Sequence, residues 1–194
     1  MADVLSLCDH SGAWSAPWND AGYDVLRVDL QDGMDVRTMP YFSPRPRVIL
    51  AAPPCDHLAN SGARWWESKG EAALLEAMAV VDACLRLVAI YRPIVWALEN
   101  PSGRLSRYLG PSAGSFDPCD YGDPYTKRTH LWGEFTLPQK NPVPAIEGSK
   151  MHRIGPSPNR KNIRSQTPAS FAAEFFRANA WMVPLRPVTQ ECEV

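Results

Sequence analysis

Val48-Ile49-Leu50-Ala51-Ala52-Pro53-Pro54-Cys55-Asp56-His57 is the stretch that decides the fold. Its apolar, partly β-branched opening is the composition of a buried strand, and it stops abruptly at two prolines. Open α/β sheets gather their ligands beyond the carboxyl ends of the strands, so a strand ending this way delivers Cys55 to the working edge. Each proline fixes φ and removes a backbone donor, which sets the thiol on a stiff shelf. Most free cysteines are small buried hydrophobes, so Cys55 takes its meaning from the rest of the chain.

Upstream, Val4-Leu5-Ser6-Leu7 reads as a first strand, followed by a loop through Gly12 and a short helix from about Trp14 to Ala21. Gly22 closes that helix, and Tyr23-Asp24-Val25-Leu26-Arg27-Val28-Asp29 reads as a second strand ending in an acid. Strand, glycine-containing loop, helix and acid-tipped strand open a Rossmann-like nucleotide site, whose acid takes ribose hydroxyls. Downstream, residues 70–91 form the clearest helix, with Leu74, Leu75, Met78, Val81, Leu85 and Val88 at three- and four-residue spacing on one apolar face. Pro93 stops it. Ile94-Val95-Trp96-Ala97-Leu98 is the next strand, and it ends in Glu99-Asn100-Pro101 at the same edge as Cys55. Strands alternating with helices imply an α/β fold: a Rossmann-like, mostly parallel sheet flanked by helices.

At 194 residues the chain suits one domain with a real core. Hydrophobic content of 45% and charge of 21% are those of an ordinary soluble globular protein. A net charge of -1 excludes a general polycation, so contact with nucleic acid requires a local patch. No apolar run approaches the ~18 residues of a membrane span, and the N-terminus lacks a signal-peptide pattern. Cys8, Cys55, Cys84, Cys119 and Cys192 are odd in number and widely spaced, which is not a disulfide framework. The expectation is a cytoplasmic protein with no membrane partner.

From residue 110 to 168 the chain turns rich in Pro, Gly and Ser, with one further strand around Thr129-His130-Leu131-Trp132. Between Glu134 and Thr167, Lys140, Lys150, Arg153, Arg160, Lys161 and Arg164 face only Glu134 and Glu147, an excess suited to phosphate contact or to plain solvation. Thr167-Pro168 caps a last helix, with Pro at its first position, and Phe171, Phe175 and Phe176 pack it down as core. The expected organisation is a single catalytic domain over 1–186, with a Pro-rich basic insertion at about 134–166 and a flexible tail at 187–194.

Cys55 and Glu99 at neighbouring strand ends, beside a nucleotide site, are the minimum for attack on an electron-poor ring: a thiolate and a carboxyl that shares a proton. Together with their surroundings they resemble the DNA cytosine-5 methyltransferases, in a compact phage-type branch. Residues 52–62, from Ala52 through Pro53-Pro54-Cys55 to Asn60-Ser61-Gly62, are similar to the family's Pro-Cys nucleophile motif and its loop. Leu98-Glu99-Asn100-Pro101 is similar to its Glu-Asn motif, and Tyr121 to Thr129, with Lys127 and Arg128, to a diverged Arg-containing motif. Leu7-Cys8-Asp9-His10-Ser11-Gly12-Ala13-Trp14 resembles its opening cofactor motif.

The resemblance implies a class I methyltransferase fold and transfer of a methyl group from S-adenosylmethionine to C5 of cytosine in DNA. Cys55, Glu99, Lys127 and Arg128 would be catalytic, Cys55 attacking C6 and Glu99 holding N3 and the amino group. Asp9, His10, Gly12, Ala13, Trp14, Asp29, Asp35 and Pro53 would hold the donor, with the Gly12 turn admitting it to the backbone. Pro54, His57, Ser61, Gly62, Arg64 and Asn100 would meet the acceptor. Residues 56–70, carrying Trp65 and Trp66, would close over a flipped base; packing alone also accounts for those tryptophans.

The chain departs from the family pattern in three features. His10 and Ala13 stand at glycine positions, and Ser6 stands where an acid ends the first strand, which leaves the donor open. Lys127 replaces an arginine as the partner of Glu99, without its bidentate fork. The segment after the basic motif is too short for a large target-recognition domain, so sequence specificity is low or short, or targeting rests on a protein partner. The alternatives are a cytosine C5 transferase using another donor or a free nucleotide, and a non-catalytic nucleic-acid-binding protein. The repeated triplets Cys8-Asp9-His10 and Cys55-Asp56-His57 hold the donors of a tetrahedral zinc site at unusually tight spacing, and the reading adopted is no metal.

Overall fold

A computed structural model describes residues 2–186 of the chain; the expected tail at 187–194 lies outside the described residues. Strands β1 (Val4–Leu7), β2 (Val25–Val28), β3 (Val48–Ala51), β4 (Val95–Pro101), β5 (Gly114–Phe116) and β6 (Thr129–Glu134) form one sheet in the order β2-β1-β3-β4-β6-β5. The first four pair parallel, and β6 runs antiparallel between β4 and β5. Helices α1 (Ala16–Asp20), α2 (Trp66–Tyr91), α3 (Ser106–Leu109), α4 (Arg160–Ser165) and α5 (Ala169–Asn179) accompany it. This is a Rossmann-like α/β fold: a mostly parallel sheet flanked by helices. Because β2 and β3 flank β1 on opposite sides, the strand order reverses there and opens a crevice at the carboxyl ends of β1 and β3.

Parallel strands buried on both faces read as unbroken apolar runs, and alternate residues go to opposite cores. Val4, Val48, Leu50, Val95 and Ala97 pack under α1 and α5 with Trp14, Trp18, Phe171 and Phe175. Leu5, Leu7, Ile49, Ala51 and Leu98 pack under α2 with Val81, Cys84, Leu87 and Tyr91. The α5 face is tied by stacked Phe116 and Phe171, 3.7 Å between centroids, an arrangement worth about 0.5–1.5 kcal/mol beyond its buried area. Asn179 closes that end: its buried amide accepts from the Thr136 N–H at 2.7 Å and donates to the Thr136 carbonyl at 2.9 Å.

Several elements differ from the sequence reading. Leu75, placed on the apolar face of the long helix, is 61% exposed; the stripe that meets the sheet runs Ala77, Val81, Cys84, Leu87 and Tyr91, whose small members allow close approach. The helix starts at Trp66, but Gly70 at φ 70, ψ -175 breaks it where the periodicity began. Pro168 is the N-cap of α5 rather than its first residue, and no side chain caps the helix. Glu99, Asn100 and Pro101 do not terminate β4: they continue it past the end of β3, paired only with Leu131, His130 and Thr129 of β6. Strand β5 and helices α3 and α4 carry too little periodicity to be read from sequence.

Candidate active site

The shelf that carries Cys55 is built by the two strand ends. Beyond Ala52, whose N–H donates to the Leu7 carbonyl at 2.9 Å, the prolines end the ladder. The amides of Leu58 and Ala59 then both return to the Cys55 carbonyl at 2.9 Å, a tight turn. The chain after β4 clamps this turn: Asn60 N–H donates to Ser102 and Arg104 N–H to Leu58, each at 2.8 Å, and Arg104 Nε donates to the His57 carbonyl at 2.7 Å. Gly103 makes the clamp possible, since a Cβ there would lie 2.0 Å from the Leu58 carbonyl oxygen. Asn100 is buried and donates its side-chain amide to the Pro53 carbonyl at 2.9 Å.

Cys55 is half-buried on the floor of a cleft of about 1620 Å³. Burial pushes its thiol up, as do Asp56 and Glu99, against the pull of Lys127 and Arg164. Glu99 is buried, with Oε2 unpartnered. Burial raises its carboxyl above the usual range and Asp9 adds to the rise, while Lys127 opposes it. The expected Lys127–Glu99 contact is not made: Lys127 Nζ donates to the Gln166 carbonyl at 2.9 Å and acts on Glu99 only through its field. Lys127 and Arg128 precede β6 and both line the cleft, with Arg128 Nε on Asp117 at 2.9 Å.

The β1–β2 side of the cleft is acidic. Asp29 accepts the Gln31 N–H with Oδ1 at 2.8 Å and has Oδ2 free of hydrogen bonds among the described residues. Asp35 lines the wall but is held by Arg37, whose side chain and amide bind it at 2.7–3.0 Å and keep its carboxyl below the usual range. Asp9 reaches the cleft, yet its carboxylate gathers Ser6 Oγ at 2.8 Å, Ser15 Oγ at 2.9 Å, and Ser11 Oγ and Ser15 N–H at 3.3 Å. Its part is to hold the loop after β1, and Ser6 feeds it a proton donor. His10 is exposed and meets Asp32 at 3.0 Å.

Four residues expected at the donor lie off the cleft lining. Trp14 is fully buried against Phe175, because a ring of that size at the start of α1 fills the α5 core. Gly12, at φ +68, faces a separate cavity of about 270 Å³, and a Cβ there would meet Arg27 Nη1 at 2.6 Å rather than a ligand. Ala13 and Pro53 do not line the cleft; Ala13 is turned by its N–H bond to Ser11 Oγ, and Pro53 is buried with its carbonyl on Asn100. On the acceptor list Pro54, His57, Ser61, Gly62 and Arg64 line the cleft, whereas Asn100 lies behind Pro53 and Glu99 behind the lining.

The remaining wall is cationic and comes partly from a helix that sequence reasoning missed. Arg160, Lys161 and Arg164 of α4 line the cleft. Lys161 Nζ meets Asp56 at 2.7 Å, and Asn162 Nδ2 donates to Gln31 Oε1 at 3.1 Å, so α4 is tied to the Cys55 loop and to the chain after β2. The i, i+1, i+4 spacing of the three cations was the available signal. The other basic residues of that segment are used elsewhere: Lys140 on Asp120, Lys150 on Glu147 and Arg153 on the Glu147 carbonyl. Trp65 is 51% exposed on the cleft wall beneath Arg64, whereas Trp66 packs under Arg104, 4.6 Å above its ring.

The two Cys-Asp-His triplets are not gathered into one cluster among the described residues. Cys8 turns its thiol to Cys84, and among the described residues the cluster with ligand atoms within 4.8 Å of one another is His10, Asp29 and Asp32, not the two triplets. No helix of the described residues is long and apolar enough to cross a membrane.

No family model matches this sequence, and no curated protein matches it. Among solved structures the chain is similar to a candidate DNA modification methyltransferase encoded within a prophage (E. coli), with a TM-score of 0.49 and 16% identity over 74% of this chain. The chain spans about half of that structure's length, 53%.

Proposed function

We propose that this chain is a DNA methyltransferase that moves the methyl group of S-adenosylmethionine to C5 of cytosine through a covalent adduct with Cys55. The observation that carries the reading is the placing together of a cleft-lining thiol after β3, a buried carboxyl of β4 with an unpartnered oxygen, and the cations Lys127 and Arg164. S-adenosylmethionine supplies an electrophilic methyl group. Asp29, through its free Oδ2, and His10 are the residues that would hold it, on the acidic side of the switch-point crevice.

In this mechanism the Cys55 thiol gives up its proton to solvent water, and its sulfur bonds to C6 of the ring. The C5–C6 π electrons move toward N3, where Glu99 in its acid form donates a hydrogen bond; the burial that raises its carboxyl favours that form. Once C5 carries the methyl group its proton leaves to solvent, the S–C6 bond breaks, and the double bond re-forms with the thiolate released. Lys127 and Arg164 favour the thiolate against the burial that opposes it. Residues 1–186 act as one catalytic unit, and the segment 134–166 contributes α4 rather than a large base-reading surface. Specificity is accordingly short or relaxed, or targeting is left to a protein partner.

The test is transfer of label from radioactive S-adenosylmethionine to DNA, with free dCMP as a parallel acceptor and Cys55→Ala as control. The expected result is label at cytosine C5 in DNA that disappears in Cys55→Ala. Label that survives the substitution overturns the covalent mechanism.

A further inference from the structure

Resting on that reading, we infer that the acceptor is single-stranded DNA, its phosphates held by Arg64 and Arg164 and a base beside the target stacked on Trp65. Three separate segments bring cations to the Cys55 cleft: Arg64 from the turn after Cys55, Lys127 and Arg128 from the chain before β6, and Arg164 from α4. Among the described residues Arg64 and Arg164 make no hydrogen bond or ion pair, so both are available to an incoming anion; Arg64 only covers the Trp65 ring at 5.0 Å. The basic residues of the segment 134–166 that lie outside the cleft, Lys140, Lys150 and Arg153, are by contrast matched to acids and carbonyls of the protein. Arg164 of the same segment stays free and lines the groove.

Trp65 supplies the second half of a single-strand site. A large aromatic left 51% exposed on a cationic cleft wall offers a base a stacking platform, and stacking of that kind tolerates any base. Its neighbour Trp66, held under Arg104, shows that nothing in the local sequence obliges Trp65 to be outside. The third observation is α4, tied by Lys161 to Asp56 and by Asn162 to Gln31. Those ties hold α4 as a wall of the cleft beside the Cys55 loop. A paired base reaches the thiol only by extrusion, whereas an unpaired strand presents its bases directly.

The experiment is fluorescence anisotropy of a fluorescein-labelled, cytosine-containing 12-nucleotide strand, alone or annealed to its complement, titrated with the full chain over a range of salt. The single strand is expected to bind at least tenfold more tightly than the duplex. Trp65→Ala should weaken it roughly tenfold or more and Trp65→Phe should restore it, with matching thermal melts. Arg164→Ala should reduce the slope of log K against log salt by about 0.7. Equal or tighter duplex binding, or a Trp65→Ala variant that binds the single strand like the parent, overturns the inference. Methyl transfer is read on the same samples. Tight single-strand binding without Cys55-dependent label refutes the reaction and leaves the strand preference; label on duplex with no single-strand preference does the reverse.

Discussion

The side-chain amide of Asn100 donates to the carbonyl of Pro53 across 2.9 Å, joining the overhang of β4 to the shelf that carries Cys55. Pro53 and Pro54 have no N–H, so the sheet ladder cannot extend to the nucleophile, and Asn100 substitutes for it. Asn100→Ala removes a buried bond worth about 1–3 kcal/mol and loosens the shelf. Turnover should fall by more than tenfold with KM little changed, because the residue touches neither end of the cleft lining. A fall confined to KM, measured by steady-state transfer, would assign Asn100 to substrate instead.

The Cys55 thiol gives a pH test with a definite sign. Burial, Asp56 and Glu99 raise its pKa, and only the thiolate alkylates. A raised pKa means less thiolate at neutral pH than in an ordinary cysteine, with the rate still climbing at pH 9 and beyond. Asp56→Asn removes a raising charge and should speed alkylation at pH 8; Arg164→Ala removes a lowering one and should slow it. Peptide-resolved mass spectrometry after iodoacetamide pulses reads Cys55 alone. A plateau below pH 8 would contradict the electrostatics.

Asp9 gathers three serine hydroxyls and an amide in the loop after β1. Asp9→Ala strands buried Ser6 and Ser15 as well as deleting the carboxylate, so its cost is about 3 kcal/mol. Urea unfolding should show the midpoint fall with an unchanged slope. If Asp9 served the donor alone, stability would stay at the parental value while donor binding was lost.

The frame of the fold was legible because buried parallel strands are written as short apolar runs: Val4–Leu7, Val48–Ala51 and the start of Val95–Pro101 stand out between turn residues. Cys55 followed from the prolines behind it. What stayed hidden depends on long-range partners. Trp14 reads as a donor-site residue at the start of a short helix until α5 arrives, about 160 positions later, to bury it. Lys127 invites pairing with Glu99 until the carbonyl of Gln166 is brought beside it. Helix α4 has only Arg160–Ser165 in which to show periodicity, and its ties to Asp56 and Gln31 leave no local trace.

Gly70 ends the short helical turn that follows Trp65 and carries Trp66. At φ 70 and ψ -175 it occupies backbone space essentially reserved for glycine, and it separates the turn at Trp66 from the long run of α2. A Cβ at Gly70 would meet nothing within 4 Å, so the cost of Gly70→Ala is conformational rather than steric, about 1–3 kcal/mol. Relief by straightening is opposed, because a continuous helix through residue 70 would draw Trp66 from beneath Arg104, 4.6 Å away, and Lys69 from the Asp56 carbonyl at 3.3 Å. Urea melts of Gly70→Ala should therefore show the full loss, with tryptophan emission unchanged in the folded baseline. A stability equal to or above the parent's, with shifted emission, would show that the helix has straightened and that the break is not held by these two contacts.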